Sequence, residues 1–521
     1  MNELKKETKK KKGSKIGLIL IIVLIIIGVI IGIYFWNKEK KDNKLEVKNK
    51  DTYSEYRLQD NDLGEFDLAF LKLENDKENK VYSPLAIKYA LEMLKEGADD
   101  NSYKQINDII GGYAGKKYVN SENLAIANGL FIKDSYKSFI KEDYVEKVKD
   151  TYNADVIYDS FSQADTINNW VSSKTFNLID KLVDDVKDND FILTNALAID
   201  MDWKQQIRST DKNYVVNYKH ENYTKRIGPL MVDYYHSLDF DDNSLRAASL
   251  EIGAVANRYD IISQEGEDKI SETIKEKYSQ WLKDPNSDFC GKVEDEDDVD
   301  TYVDKYINEI KANYKEVSGS TDFEFYTDDN VKVFAKDLKE YDGTTLQYIG
   351  IMPTNDSLDN YIKNIKAQDI KNIISNLKSL DIDNFIEGVI TEVSGYIPIF
   401  NFNYKLNLQE DLKEIGVTDV FELEKANLSK LTSSKASINK IEHKANISFS
   451  NDGIKASAAV SEGGLGQGFC GFDYLYEVPV EKIDLTFDKP YLFLIRDKKT
   501  GEVWFTGEVY EPTIYKDRSN N

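Results

Sequence analysis

The segment IGLILIIVLIIIGVIIGIYFW, residues 16–36, constrains this chain most, because it runs for 21 residues without a charge. At about 1.5 Å of rise per residue, such a run makes a helix roughly 30 Å long, the depth of a bilayer core. Tyr34, Phe35 and Trp36 close it, as an interfacial aromatic belt would. No A-x-A-like cleavage site follows, so the run reads as an uncleaved signal anchor rather than a signal peptide. Seven Lys precede it and four follow closely. That bias puts residues 1–15, a basic head, in the cytoplasm and the rest of the chain outside the cell.

Charge divides near the same place. Residues 1–44 hold 11 Lys against 4 acidic residues, a net of +7, whereas the remaining 477 hold 57 basic and 88 acidic groups, a net of −31. So acidic a body repels phosphate, which argues against a nucleic-acid partner. The chain is 41% hydrophobic, enough for a sizeable core. Its two Cys, Cys290 and Cys470, both stand in Phe-Cys-Gly. One disulfide between them and two free thiols are both compatible with an exported domain.

Residues 37–60 are polar and read as a tether. Leu63, Phe66, Phe70 and Leu73 then recur at helical spacing. In VYSPLAIKYALEMLKEG, Ser83 before Pro84 fits a helix start. The stretch FIKEDYVEKVKDTYNADVIYDSF predicts a helix and then a short strand, and DTINNWVSSKTFNLIDKLV a further amphipathic helix. FILTNALAIDMDW reads as a buried strand. Residues 237–325, with EDEDDVD and two polar helix-like stretches, read as an acidic insertion. Strand patterns resume at VKVFAKDL, a helical stretch is expected over 362–380, and the end of the chain is strand-rich. Helices first and strands later predict an α+β fold.

Chemical motifs are scarce. GQGFCG, residues 466–471, matches G-x-G-x-x-G but lacks the strand before it and the helix after it that a dinucleotide site needs. The acidic run Glu294–Asp300 lacks the central Gly and terminal Glu of a calcium loop. His220, His236 and His443 have no metal-ligand spacing, and neither a G-x-S-x-G elbow nor a Cys/His nucleophile signature occurs. No catalytic residue, metal or cofactor is therefore expected. What stands out is NDGIKASAAVSEGGLGQGFCGF, residues 451–472, small and Gly-rich between two β-like stretches. Gly453 permits a backbone bend. Ile454, Ala456, Ala458 and Val460 would share one face if the segment were extended. A loop that can later become a central strand would have this composition; so would a flexible surface loop.

With these residues in view, the chain resembles the serpin family from about Leu63 to Pro512. SPLAIKYALEMLKEGADD resembles the family's helix B signature, TNALAIDMDWKQQI its third main-sheet strand, and IPIFNFNYKLNLQEDLKEIGVTDVF the segment before its reactive loop. IEHKANISFSNDGIKASAAV resembles the strand and hinge that lead into that loop, and FDKPYLFLIRDKKTGEVWFTGEVYEP the closing strands. The resemblance implies a domain over 61–515 with three sheets and about nine helices, the insertion at 237–325, and a hinge and reactive loop over 451–480. It further implies suicide-substrate inhibition of a serine or possibly a cysteine protease, by a monomer displayed on the cell surface. A non-inhibitory surface binding or adhesion module is the alternative. The Lys-, Asn- and Ile-rich composition points to a bacterial source.

Carried over to this sequence, Ser83, Asn195 and His443 match the shutter network under the main sheet, and Trp203 the breach tryptophan at its top. Ala86 stands where the family usually has a second Ser. Gly453, Ile454, Lys455, Ala456, Ser457, Ala458, Ala459 and Val460 match the hinge. Asn451, Ile454 and Lys455 depart from the residues usual there, although Ile454, being apolar, tolerates burial. The family's spacing from Gly453 places the scissile bond at Gln467–Gly468. The run from Gly453 to Pro490 is longer than usual, however, so Phe469 or a later residue such as Tyr474 stays open as the bait.

Overall fold

The computed structural model describes residues 55–116, 118–207, 214–219, 244–283, 299–319, 321–455, 472, 474 and 476–514. The expected membrane anchor at 16–36 lies outside the described residues. Among those described, no helix is long and apolar enough to cross a membrane. Leu58 is already buried in the core, so the compact unit begins at Tyr56 and the tether expected over 37–60 ends earlier than its composition suggested.

Three sheets carry the fold. The main sheet orders Ala154–Asp159, Leu124–Lys133, Phe191–Ile199 and Lys440–Phe449, with Phe400–Leu406 on the far edge of the last. FILTNALAI is buried along its whole length, which is why it shows no alternation. A second, antiparallel sheet runs from Lys80–Tyr82 through Val503–Val509, Tyr491–Asp497, Leu346–Pro353 and Val331–Asp337 to Glu324–Thr327 and Lys378–Ser379. The third joins Val480–Asp484, Ile390–Pro398, Ser244–Asn257 and Tyr214–Lys219, with Glu316–Gly319 also on Ser244–Asn257.

The helix Pro84–Gly97 enters this core at the point that Ser83 and Pro84 signal: the Ser83 hydroxyl accepts from the Ala86 N–H at 3.1 Å. The helix Glu142–Tyr152 stops at Asn153, whose left-handed φ of 49° turns the chain into the strand Ala154–Asp159. The helix expected over DTINNWVSSKTFNLIDKLV is shorter, Asp165–Lys174, because Phe176 and Asn177 take positive φ just after it. It covers one face of the main sheet through a small core of its own, in which Ile167 and Val171 meet Phe131, Ile192 and Ala196. The helical stretch expected over 362–380 is two helices, Leu358–Asn364 and Ala367–Ser375, followed by the edge strand Lys378–Ser379.

The insertion is narrower than 237–325. Ser244–Asn257 is an interior strand of the third sheet, and Glu316–Gly319 pairs back onto it. Among the described residues of the excursion between them, 258–315, lie three helices: Ile261–Glu265, Glu267–Trp281 and Val299–Ala312. These three help to raise the α-helices among the described residues to eleven, against the nine expected.

Candidate functional site

In the lower half of the main sheet, Phe191–Ile199 and Lys440–Phe449 are direct parallel neighbours. They pair Ile192 with Lys440, Leu193 with Ile441, Thr194 with Glu442 and Asn195 with His443. Three of the predicted residues meet at the top of this seam. The backbone N–H of Ser83 donates to His443 Nε2 at 2.9 Å. Nε2 is thereby an acceptor, so the proton of the neutral ring sits on Nδ1. Complete burial pushes the imidazole down to about 4, against a smaller opposing effect of the Asn195 backbone. Asn195 Nδ2 donates to Asn128 Oδ1, and Asn128 Nδ2 donates to the Tyr152 carbonyl at 2.7 Å. Asn128 is the member that the sequence reading missed. Its signal was available, as the one polar side chain with a carboxamide in the apolar run LAIANGLFI. Ala86 is fully buried and brings no hydroxyl.

Above the seam the two strands diverge, and the hinge fills the gap. After Lys440–Phe449 the chain reverses at Asn451–Asp452 and returns as the strand Gly453–Lys455. On one side this strand pairs Lys455 with Ser448 and Ile454 with Phe449. On the other it pairs Gly453 with Asp202 and Ile454 with Met201. Ile454 is 1% exposed. The reversal is held by three successive carbonyls: Ser450 accepts from the Trp203 indole at 2.8 Å, Asn451 from the Ile207 N–H at 3.2 Å and Asp452 from the Trp203 N–H at 2.8 Å. Trp203 is fully buried and packs edge-on to Phe449. The role expected of Gly453 changes. Its φ is not in the left-handed range, and what requires glycine is proximity: a Cβ there would lie 2.1 Å from the Met201 carbonyl oxygen.

Ala456, Ser457, Ala458, Ala459, Val460, Gln467 and Gly468 lie outside the described residues, as do Cys290 and Cys470. The chain is described again at Phe472. The Phe472 ring packs against Tyr278, Trp281 and Tyr302 of the helical excursion, with centroids 5.1, 5.8 and 5.0 Å away. The Tyr474 N–H donates to the Tyr302 hydroxyl at 3.2 Å and the Tyr476 N–H to the Tyr306 hydroxyl at 2.8 Å. The Tyr476 hydroxyl donates to Glu265 at 3.2 Å. Val480–Asp484 then joins the third sheet, parallel to Ile390–Pro398. The excursion has its own small core of Tyr259, Ile261, Ile270, Ile274, Val303 and Ile307. Among the described residues no cluster of His, Cys, Asp or Glu is disposed to hold a metal ion.

A short strand seated at the open end of a sheet that is closed beneath it, with the chain described again on the third sheet, is the arrangement of a serpin. The family model for serpins (serine protease inhibitors) matches residues 65–288 and 305–512, and its one interruption falls inside the helical excursion. An uncharacterized serpin-like protein of Methanosarcina acetivorans is 24% identical over 483 residues, spanning 87% of this chain and 85% of its own. Mouse neuroserpin is 24% identical over 471 residues, spanning 85% and 88%. The native-state crystal structure of the thermophilic serpin tengpin has the same fold, with a TM-score of 0.56 at 22% identity over 89% of this chain and 95% of that one. The chain belongs to the serpin family, whose members are in general protease inhibitors and not enzymes.

Proposed function

We propose that this chain is a membrane-anchored inhibitor, displayed on the outer face of the cell of a bacterium, that traps a serine or cysteine protease through its reactive loop. The observation that carries this reading is the seated hinge. Gly453–Lys455 already lies between Lys440–Phe449 and Met201–Asp202, antiparallel to both. That is the orientation a further central strand needs. A protease that attacks the loop carbonyl becomes acylated to the N-terminal limb. The freed limb then continues from Lys455 down the sheet, as strand addition in this family does. Its path is the seam between Phe191–Ile199 and Lys440–Phe449, where four residue pairs have to part. Insertion replaces them with two ladders and buries Ala456, Ala458 and Val460 on the face that Ile454 begins. The distance available is adequate: Gly453–Gln467 is 15 residues, roughly 50 Å when extended.

The protein acts as a monomer, since every element of this mechanism is present in one chain. The anchor and the Lys excess before it favour the outside topology. Incubating the full chain with a panel of serine and cysteine proteases tests the reading. A covalent complex should survive SDS, and mass spectrometry of the released C-terminal fragment should place the cut near Gln467–Gly468. Cleavage by every protease tested with no stable complex would refute trapping and favour a surface binding module. Protease shaving of intact cells should remove the body, and protection until lysis would reverse the topology.

A further inference from the structure

The helical excursion touches the chain just where the loop returns to the body, and it does so through main-chain atoms. Tyr302 and Tyr306 stand one turn apart on Val299–Ala312, with rings stacked at 6.5 Å and 13°. Their hydroxyls accept from the backbone N–H groups of Tyr474 and Tyr476. Four helical residues rise about 6.0 Å, and two residues of extended chain about 6.6 Å. The two spacings nearly coincide, so hydroxyls one turn apart on a helix match N–H groups two residues apart in a chain laid along it. Phe472 anchors the start of this segment in its nest of Tyr278, Trp281 and Tyr302, and Glu265 holds the hydroxyl of Tyr476.

The geometry points to the excursion 258–315 as a clamp on the C-terminal limb of the reactive loop, with Tyr302 and Tyr306 as positioning residues that decide where a protease can cut. This inference rests on the bait-loop reading above. Proteases bind substrate in extended form, by pairing with its main-chain groups. Here the N–H groups of residues 474 and 476 are already engaged, and the Phe472 ring, attractive to a protease that selects aromatic residues, is half-buried in its aromatic nest. The clamp therefore withholds Phe472, Tyr474 and Tyr476, and the bait lies before Phe472. Tyr474, left open as the bait by the sequence, is excluded. The two hydroxyls hold the limb through its backbone, the Phe472 nest and Glu265 add side-chain anchors, and specificity is set by what precedes them.

The test is a cleavage map of the full chain under brief digestion with a chymotrypsin-like protease, which cuts after aromatic residues. The wild type should be cut before Phe472 and spared at Phe472, Tyr474 and Tyr476. The Tyr302→Phe/Tyr306→Phe variant keeps both rings and loses both hydroxyls. Cutting after Tyr474 and Tyr476 should then rise about tenfold or more, since each lost hydrogen bond eases local opening. Its melting temperature should stay at that of the wild type, and if the double variant does not fold, Tyr306→Phe alone should open Tyr476. Wild-type cutting at Tyr474 or Tyr476 at the rate seen before Phe472 would overturn the clamp, and so would an unchanged map in the variant. The map is read whether or not a complex forms. Spared aromatics, with no SDS-stable complex from any protease of the panel, would leave the clamp standing and the trapping reading refuted; a stable complex cut beyond Phe472 would do the reverse.

Discussion

Gly453→Ala is the most searching perturbation of the hinge. The new methyl carbon would lie 2.1 Å from the Met201 carbonyl oxygen and 2.7 Å from Asp202 Cα, far inside the ordinary contact distance of about 3.5 Å. Both obstacles are backbone atoms, so no side chain can turn aside and the strand has to leave Met201–Asp202. Two residue pairs are lost, Gly453 with Asp202 and Ile454 with Met201. At about 0.5–1.5 kcal/mol each, together with about 1.5–3 kcal/mol for exposing Ile454, the cost is about 2.5–6 kcal/mol. With an unfolding entropy of about 2.1 cal/mol/K per residue, a body of this size unfolds with roughly 1 kcal/mol/K, which gives a fall in melting temperature of about 2.5–6 °C. On the proposed insertion, the same clash would persist in the inserted loop. Fewer encounters should therefore end in a trapped protease, and more in simple cleavage. Scanning calorimetry of the intact chain and SDS gels of the protease reaction read the two effects. A melting temperature within about 1 °C of the wild type, with trapping unchanged, would refute the seated hinge.

Two further outcomes follow from buried charge. The folded-state pKa of His443 is about 4, below its ordinary 6.5, so its contribution to stability is complete above about 6.5 and is lost as pH falls toward 4, by about 3 kcal/mol. Burial pushes Glu508 up to about 7, which acts in the opposite sense over nearly the same range; the readout is therefore the difference in melting temperature between wild type and His443→Gln at pH 4 and pH 7, and parallel pH profiles would sink the assignment. Lys88 and Asp67 form an ion pair at 2.7 Å with both side chains fully buried, so Lys88→Met, which strands the carboxylate, should cost about 3–5 kcal/mol in denaturant unfolding, and Asp67→Asn added to it should restore most of that.

What the sequence disclosed and what it hid have physical causes. Local signals survived folding: the Ser83 cap, the apolar run of Phe191–Ile199 and the placement of an apolar Ile454 all answer to interactions within a few residues or to burial alone. The misread strand Ser244–Asn257 carried its own signal, since Leu250, Ile252, Ala254 and Ala256 are buried while Val255 is exposed, a period of two. The charged helices beside it obscured that pattern, and its identity is fixed by distant partners, Ile390–Pro398 and Glu316–Gly319. Asn128 was hidden for a similar reason, because its partner Asn195 lies 67 residues away. The reason for Gly453 was also illegible, because it depends on the backbone of Met201, which no local pattern reports.

The seated strand has a kinetic consequence. Beginning an ordered segment is its costly step, because residues are fixed before enough bonds form to compensate, whereas each later addition is comparatively easy. In this chain the nucleus exists before any protease arrives: two partners flank Ile454, and the turn behind it is tied at three carbonyls. On the proposed trapping mechanism, cleavage would start growth from a template, and the contest with hydrolysis of the acyl bond would be decided by how fast pairs add. The nucleus also fixes parity. A slip of one residue would turn every inward side chain outward, and with Ile454 locked inward, the alternation of the following residues is settled at the first stitch.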